Sequence, residues 1–146
     1  MVLVPAGLAL ASLAARDVLA VLVLVWIADT AAYFSGRRWG RRKLAPSISP
    51  GKTWAGAAGG VFGAAAYAMI GGMYLSGAGW PLYVALAVVL AALGIVGDLF
   101  ESAVKRQAGV KDSGALLPGH GGVLDRIDSA TAVLPVAALF LSLPQP

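Results

Sequence analysis

Between Ser102 and Asp128 the chain reads S-A-V-K-R-Q-A-G-V-K-D-S-G-A-L-L-P-G-H-G-G-V-L-D-R-I-D, and these 27 residues gather four cations, three carboxylates and one histidine. Asp125 and Asp128, three apart, project from one side of a helix. With Asp98 they would repel one another unless cations neutralise them. Carboxylate oxygens of this kind suit Mg²⁺, which binds through one or two carboxylates plus substrate phosphates. A helix dipole favours acids in the first turn, which accounts for one aspartate but not for acids gathered beside Lys105, Arg106, Lys111 and Arg126. As a cluster, these cations suit a triphosphate: Arg forks grip phosphate bidentately and Lys acts as a point charge. Taken singly, each also fits the excess of Lys and Arg in cytoplasmic loops. In P-G-H-G-G, glycines 119, 121 and 122 let the backbone approach a ligand closely. His120 is the only histidine; it suits a loop hydrogen bond, a phosphate contact or proton transfer, and alone it cannot build a zinc site.

Asp98 stands in G-D-L-F-E-S at the end of an apolar run. A carboxylate there is costly unless paired, solvated or metal-bound. An interfacial acid that ends the helix is an equal reading on position alone. Glu101 and Ser102 share its helical face. A second polar tract, S-I-S-P-G-K-T from Ser47 to Thr53, contains G-K-T. It is no P-loop, since the first glycine of that motif would fall at Pro46 and no strand precedes it. A tight Pro-Gly turn is the plain reading. The functional one gives Lys52 a phosphate or lipid headgroup, with Ser49 and Thr53 as hydroxyl donors.

The elements that must position these groups are hydrophobic. Of 146 residues, 59% are hydrophobic and 12% charged, with mean hydropathy +0.81. A soluble domain carries about 25% charged residues, so the composition indicates an integral membrane protein. Cysteine is absent, which excludes disulfides and thiolate metal sites. Five apolar segments follow one another: Met1–Ala15, Val18–Phe34, Trp54–Leu75, Trp80–Gly97 and Ser129–Leu143. The first and last are short for a span of about 20 residues. Met1–Ala15 lacks the basic n-region of a signal peptide. None of the five alternates with period two, as a membrane β-barrel would. The expected fold is all-α: a polytopic transmembrane bundle of about five spans, with two cytoplasmic loops forming the site. Gly56-x-x-x-Gly60 and Gly59-x-x-x-Gly63 allow close helix approach, read as packing within the bundle. No linker, repeat or low-complexity tract divides residues 1–146, which read as one membrane domain. Ten of the eleven Lys and Arg lie in Gly36–Lys52 and Lys105–Arg126, which places both loops on the cytoplasmic side. The basic segments adjoin the spans and carry no aromatic stacking platform beyond Trp39, which argues against nucleic acid.

Together the motifs resemble those of the phosphatidate cytidylyltransferase family. Its signature is matched by Ser102, Lys105-Arg106, Lys111-Asp112, Pro118-Gly119-His120-Gly121-Gly122 and Asp125-Arg126-Ile127-Asp128. W-I-A-D-T-A-A-Y-F-S-G (Trp26–Gly36) and K-L-A-P-S-I-S-P-G-K-T-W (Lys43–Trp54) are also similar to that family. The likeness runs from Trp26 to the C-terminus. Family members usually carry further N-terminal membrane helices, so this chain resembles their catalytic C-terminal portion. The resemblance implies CTP and phosphatidate as substrates, CDP-diacylglycerol and pyrophosphate as products, and Mg²⁺ as cofactor. It implies Asp98 and Asp125 as metal ligands supported by Asp128, and Lys105, Arg106 and Lys111 on the triphosphate, with His120 beside them. Asp29, Ser49, Lys52, Ser102, Asp112, Gly121, Gly122 and Arg126 become substrate contacts. The expected location is the bacterial inner membrane with the site facing the cytoplasm; a homodimer is left open. A related membrane nucleotidyl- or phosphotransferase for another lipid phosphate, and a non-catalytic membrane subunit or fragment, remain as alternatives.

The charge distribution makes a topological prediction. The chain has no cysteine, so single cysteines report on a clean background. An impermeant thiol reagent on intact cells is expected to label a cysteine at Ser76 but not at Ser47 or Ser113. Labelling that puts Ser47 and Ser113 on opposite sides would split the site across the bilayer.

Overall fold

The computed structural model describes residues 3–75, 79–110 and 124–142, without the side chains of 3, 74, 75 and 124–128. The elements are α1 (Leu3–Ser12), α2 (Ala15–Trp39), β1 (Lys43–Ala45), β2 (Ser49–Thr53), α3 (Trp54–Leu75), α4 (Trp80–Gln107) and α5 (Leu124–Leu141). The helical bundle is the expected one. Among the described residues, three helices, α2, α3 and α4, are long and apolar enough to cross a membrane. The first segment is short, as expected: α1 has 10 residues, about 15 Å at 1.5 Å per residue, against a hydrocarbon core of about 30 Å. The apolar stretch of α5, Ser129–Leu141, is also short. Leu8, Leu19, Phe62, Ile70, Val89 and Leu139 point outward, an apolar exterior suited to lipid rather than water.

Two helices run further than their apolar stretches suggest. Helix α2 continues through Gly36, Arg37 and Arg38 to Trp39, with Asp17 in its first turn and the two arginines in its last. Both ends complement the helix dipole. Helix α4 passes Asp98 and carries Lys105 and Arg106 in its last turn. So Gly36–Trp39 and Lys105–Gln107, expected in loops, are helical. The α4 stop is a Schellman motif. Val110 N–H bonds to the Lys105 carbonyl at 3.0 Å and Gly109 N–H to the Arg106 carbonyl at 3.1 Å. Gly109 supplies the required positive φ of 71°.

Between α2 and α3 lies a feature the all-α expectation lacked, the antiparallel β1–β2 hairpin. Its turn is Ala45–Ile48, closed by Ile48 N–H to the Ala45 carbonyl at 3.2 Å, with Pro46 in the position that favours its fixed φ. The expected Pro50-Gly51 turn is instead part of β2. Proline is tolerated there because a two-stranded ribbon is all edge. Trp54 N–H bonds to the Arg42 carbonyl at 3.1 Å and closes the ribbon's base. Thr53 is buried, and its hydroxyl accepts the Gly56 N–H at 3.1 Å. It caps α3, and Thr53 also lines the cleft described below.

The broadest helix contact is α2 on α3, and it uses the glycine spacing as expected. A Cβ on Gly56 would sit 3.0 Å from the Ala32 carbonyl oxygen, and one on Gly60 3.1 Å from that of Ala28. Helix α4 packs on α3 and α5, α1 packs on α5, and Gly94 and Gly97 face Val133 and Ala132 of α5. The core joins Leu24, Val25 and Ala28 to Ala64, Leu90, Val133 and Ala137. Gly60→Leu is therefore expected to cost about 1–3 kcal/mol through overpacking, read as a lowered Tm in detergent. Gly71→Leu, with nothing within 4 Å of an added Cβ, is expected to leave Tm close to wild type; equal melting of the two would refute tight α2–α3 packing.

Candidate functional site

At the hairpin end of the bundle, a cleft of about 600 Å³ opens between α2, β2, α3 and α4. Four elements bring charge to it: Asp29 and Arg37 from α2, Lys43 from β1, Lys52 from β2 and Asp98 from α4. Its floor consists of small residues, Ala32, Gly36, Gly56 and Gly94, so backbone rather than side chain bounds much of the space. Ser129 of α5 reaches the same cleft and is buried. A second cleft of about 460 Å³ lies at the opposite end, near Asp17, Tyr67 and Tyr83.

The centre of the site is an ion pair between Lys52 Nζ and Asp98 Oδ2. These residues are far apart in sequence and meet because the hairpin folds down over α4. One turn beyond Asp98, Ser102 Oγ donates to Asp98 Oδ1 at 3.5 Å, so the carboxylate is held on both oxygens. Asp29 is close enough to Asp98 and Lys52 for both charges to act on it. The arrangement mixes two carboxylates with three cations, which suits a phosphate ester and its counter-cation better than either alone.

Of the residues expected from sequence, the structure brings Asp29, Lys52 and Asp98 into one cleft and places Ser102 on Asp98. Lys105 pairs with Glu101 at 3.2 Å, and Arg106 Nε reaches the Ile48 carbonyl at 3.5 Å. Neither lines the cleft, and Ser49 does not line it either. Lys111, Asp112, His120, Gly121 and Gly122 lie outside the described residues. Asp125, Arg126 and Asp128 fall in the first turns of α5, with their side chains outside the described residues. Among the described residues, no three Asp, Glu or His side chains gather as a metal site.

Sequence reasoning passed over Tyr33, Arg37, Lys43 and Ser129, which also line the cleft. A signal for Arg37 exists: Asp29, Tyr33 and Arg37 recur every four residues and share one helix face. Ending the helix at Phe34 hid it.

Comparison with known proteins places the chain in a family. The model of the cytidylyltransferase family matches residues 8–143. Phosphatidate cytidylyltransferase of Haemophilus influenzae is 48% identical over 130 residues, covering 82% of this chain and 43% of that protein. The Pseudomonas aeruginosa protein of the same name is 52% identical over 126 residues, 85% of this chain and 46% of its own length. That of Staphylococcus epidermidis is 44% identical over 128 residues, 86% of this chain and 49% of its own. The chain thus spans less than half the length of these relatives. By the family match and its apolar helices, this chain is a membrane protein that belongs to the cytidylyltransferase family.

Proposed function

We propose that the chain transfers the cytidylyl group of CTP to phosphatidate, giving CDP-diacylglycerol and pyrophosphate. The observation that carries this reading is the Lys52–Asp98 pair in a cleft lined by small residues, in a chain of this family. A phosphatidate oxygen attacks the α-phosphorus of CTP. The new P–O bond forms as the bond to the β-phosphate bridge breaks, and the electron pair leaves with pyrophosphate. The nucleophile is already an anion, so no strong base is needed. The barrier is repulsion between two anions, which preorganised positive charge lowers.

The donors fit Mg²⁺: they are carboxylate oxygens, and Asp98 already holds one positive charge in the Lys52 ammonium. Asp98, with Asp125 and Asp128 from the start of α5, would hold it. When bound, Mg²⁺ would neutralise triphosphate charge and stabilise the leaving pyrophosphate. Lys52 would hold a substrate phosphate if a cation took its place on Asp98. Ser102 keeps the Asp98 carboxylate oriented. Lys105 and Arg106 project from the last turn of α4, and with Lys111 we assign them to the triphosphate, for which Lys105 would release Glu101. The cation-rich hairpin end faces the cytoplasm of the cell in this reading, supported by the charge distribution.

The test is CTP- and Mg²⁺-dependent formation of CDP-diacylglycerol by purified protein in phosphatidate micelles. Asp98→Asn is expected to lower kcat by about 100-fold or more, as for loss of one charge-stabilising group; near-normal turnover removes Asp98 from the chemistry. Lys105→Ala and Arg106→Ala are expected to raise KM for CTP more than KM for phosphatidate. Equal effects on both substrates would leave those cations as topological markers. Faster turnover of another lipid phosphate would change the assigned acceptor.

A further inference from the structure

Two cations of the cleft have no part in the chemistry above. Arg37 and Lys43 line it together with Lys52. Lys52 pairs with Asp98, whereas among the described residues neither Arg37 nor Lys43 has a carboxylate partner. Arg37 instead donates from Nη1 to the Tyr33 hydroxyl at 3.2 Å. That contact uses one of its five N–H donors and steadies the side chain without neutralising it. Gly36 and Gly40 line the same cleft, packed against the Thr53 side chain.

Tyr33, Phe34, Trp39 and Trp54 are exposed by 60%, 64%, 68% and 58%. They stand on the last turns of α2 and at the start of α3. Exposed Tyr and Trp mark the headgroup level of a bilayer. Arg37 lies between Phe34 and Trp39 in sequence. An anion held there sits at headgroup depth. A phosphate monoester carries nearly two negative charges near neutral pH, which an Arg fork and a Lys point charge match.

We propose that Arg37 and Lys43 form the subsite for the phosphomonoester headgroup of the lipid substrate, with Tyr33 positioning Arg37. This rests on the cytidylyltransferase reading for its substrate but assigns residues on other grounds: two cations in one cleft without a carboxylate partner among the described residues, and the exposed aromatic residues on either side of Arg37. The triphosphate is left to the cations at the end of α4 and beyond it.

Kinetics and direct binding together test it. Arg37→Gln and Lys43→Gln are each expected to raise KM for phosphatidate about 10-fold or more, the loss of a charge-assisted hydrogen bond, with KM for CTP nearly unchanged. Arg37→Lys should restore part of the loss, and Tyr33→Phe should show a smaller rise. Arg38→Gln and Arg41→Gln, neighbours of equal charge that do not line the cleft, should leave KM for phosphatidate unchanged. If these controls weaken it equally, the effect is general surface charge and the subsite is refuted. Calorimetry with dihexanoyl phosphatidate in the absence of CTP reads the subsite even if turnover fails. Wild type should bind it, and Arg37→Gln/Lys43→Gln should not, with Tm confirming that the variant is folded. Equal binding by wild type and the double variant refutes the subsite, whatever the enzyme assay gives. Equally tight binding of inorganic phosphate would also overturn the lipid assignment.

Discussion

The site depends on one ion pair, Lys52 with Asp98. A carboxylate at the end of a membrane helix is tolerated only when paired, solvated or bound to a cation. The ammonium that satisfies Asp98 comes from a hairpin, not from a neighbouring turn of α4. For the pair to form, α2 and α3 must return side by side, the ribbon must close at its base, and α4 must rise past the membrane beside it. Each condition is met by a separate local device: the Ala45–Ile48 turn, the Thr53 cap and the Schellman stop after Gln107. Removing either partner leaves the other charge uncompensated in a half-buried place, which costs far more than the net worth of the pair.

Beneath that pair, packing and chemistry use the same small residues. In lipid there is no hydrophobic drive between helices, so association rests on close van der Waals contact. Gly56 and Gly60 let α3 approach the carbonyls of Ala32 and Ala28. Gly56 and Ala32 also form the cleft floor, with Gly36 beside them. The absence of side chains keeps α2 and α3 together up to the level of the cleft, where a Cβ on Gly36 would sit 3.1 Å from Thr53 Oγ1 and 3.4 Å from the Gly56 Cα. A larger residue at this level would disturb the packing that bounds the cleft.

The length of the helices beyond the apolar core has a similar double consequence. Helix α4 has 28 residues, about 42 Å at 1.5 Å per residue, well beyond a core of about 30 Å. Its final turns therefore carry Asp98, Glu101, Ser102, Lys105 and Arg106 as one rigid extension. Helix α2 does the same with Asp29, Tyr33 and Arg37. Charges on helices hold their spacing better than charges on loops, which suits a reaction whose main obstacle is the mutual repulsion of its substrates.

The amino-acid sequence determined the membrane class, the existence and order of the apolar helices, the glycine packing face and three of the charged residues in the cleft. Those follow from local properties: hydropathy, spacing and the charge between segments. The resemblance of its motifs to a family, later met by the family match, rested on local strings as well. What the sequence did not disclose were the helix ends, the hairpin and the companions of Asp98. Polar residues can continue a helix past the membrane as readily as end it, so hydropathy placed the α2 and α4 ends too early and hid Arg37. S-P-G-K-T has poor intrinsic strand preference and becomes a strand because it must span two antiparallel helices. Only the tertiary structure decided that Lys52 meets Asp98 and that Asp29, Arg37 and Lys43 share their cleft, because a contact between distant segments depends on how helices pack, and no local pattern specifies that.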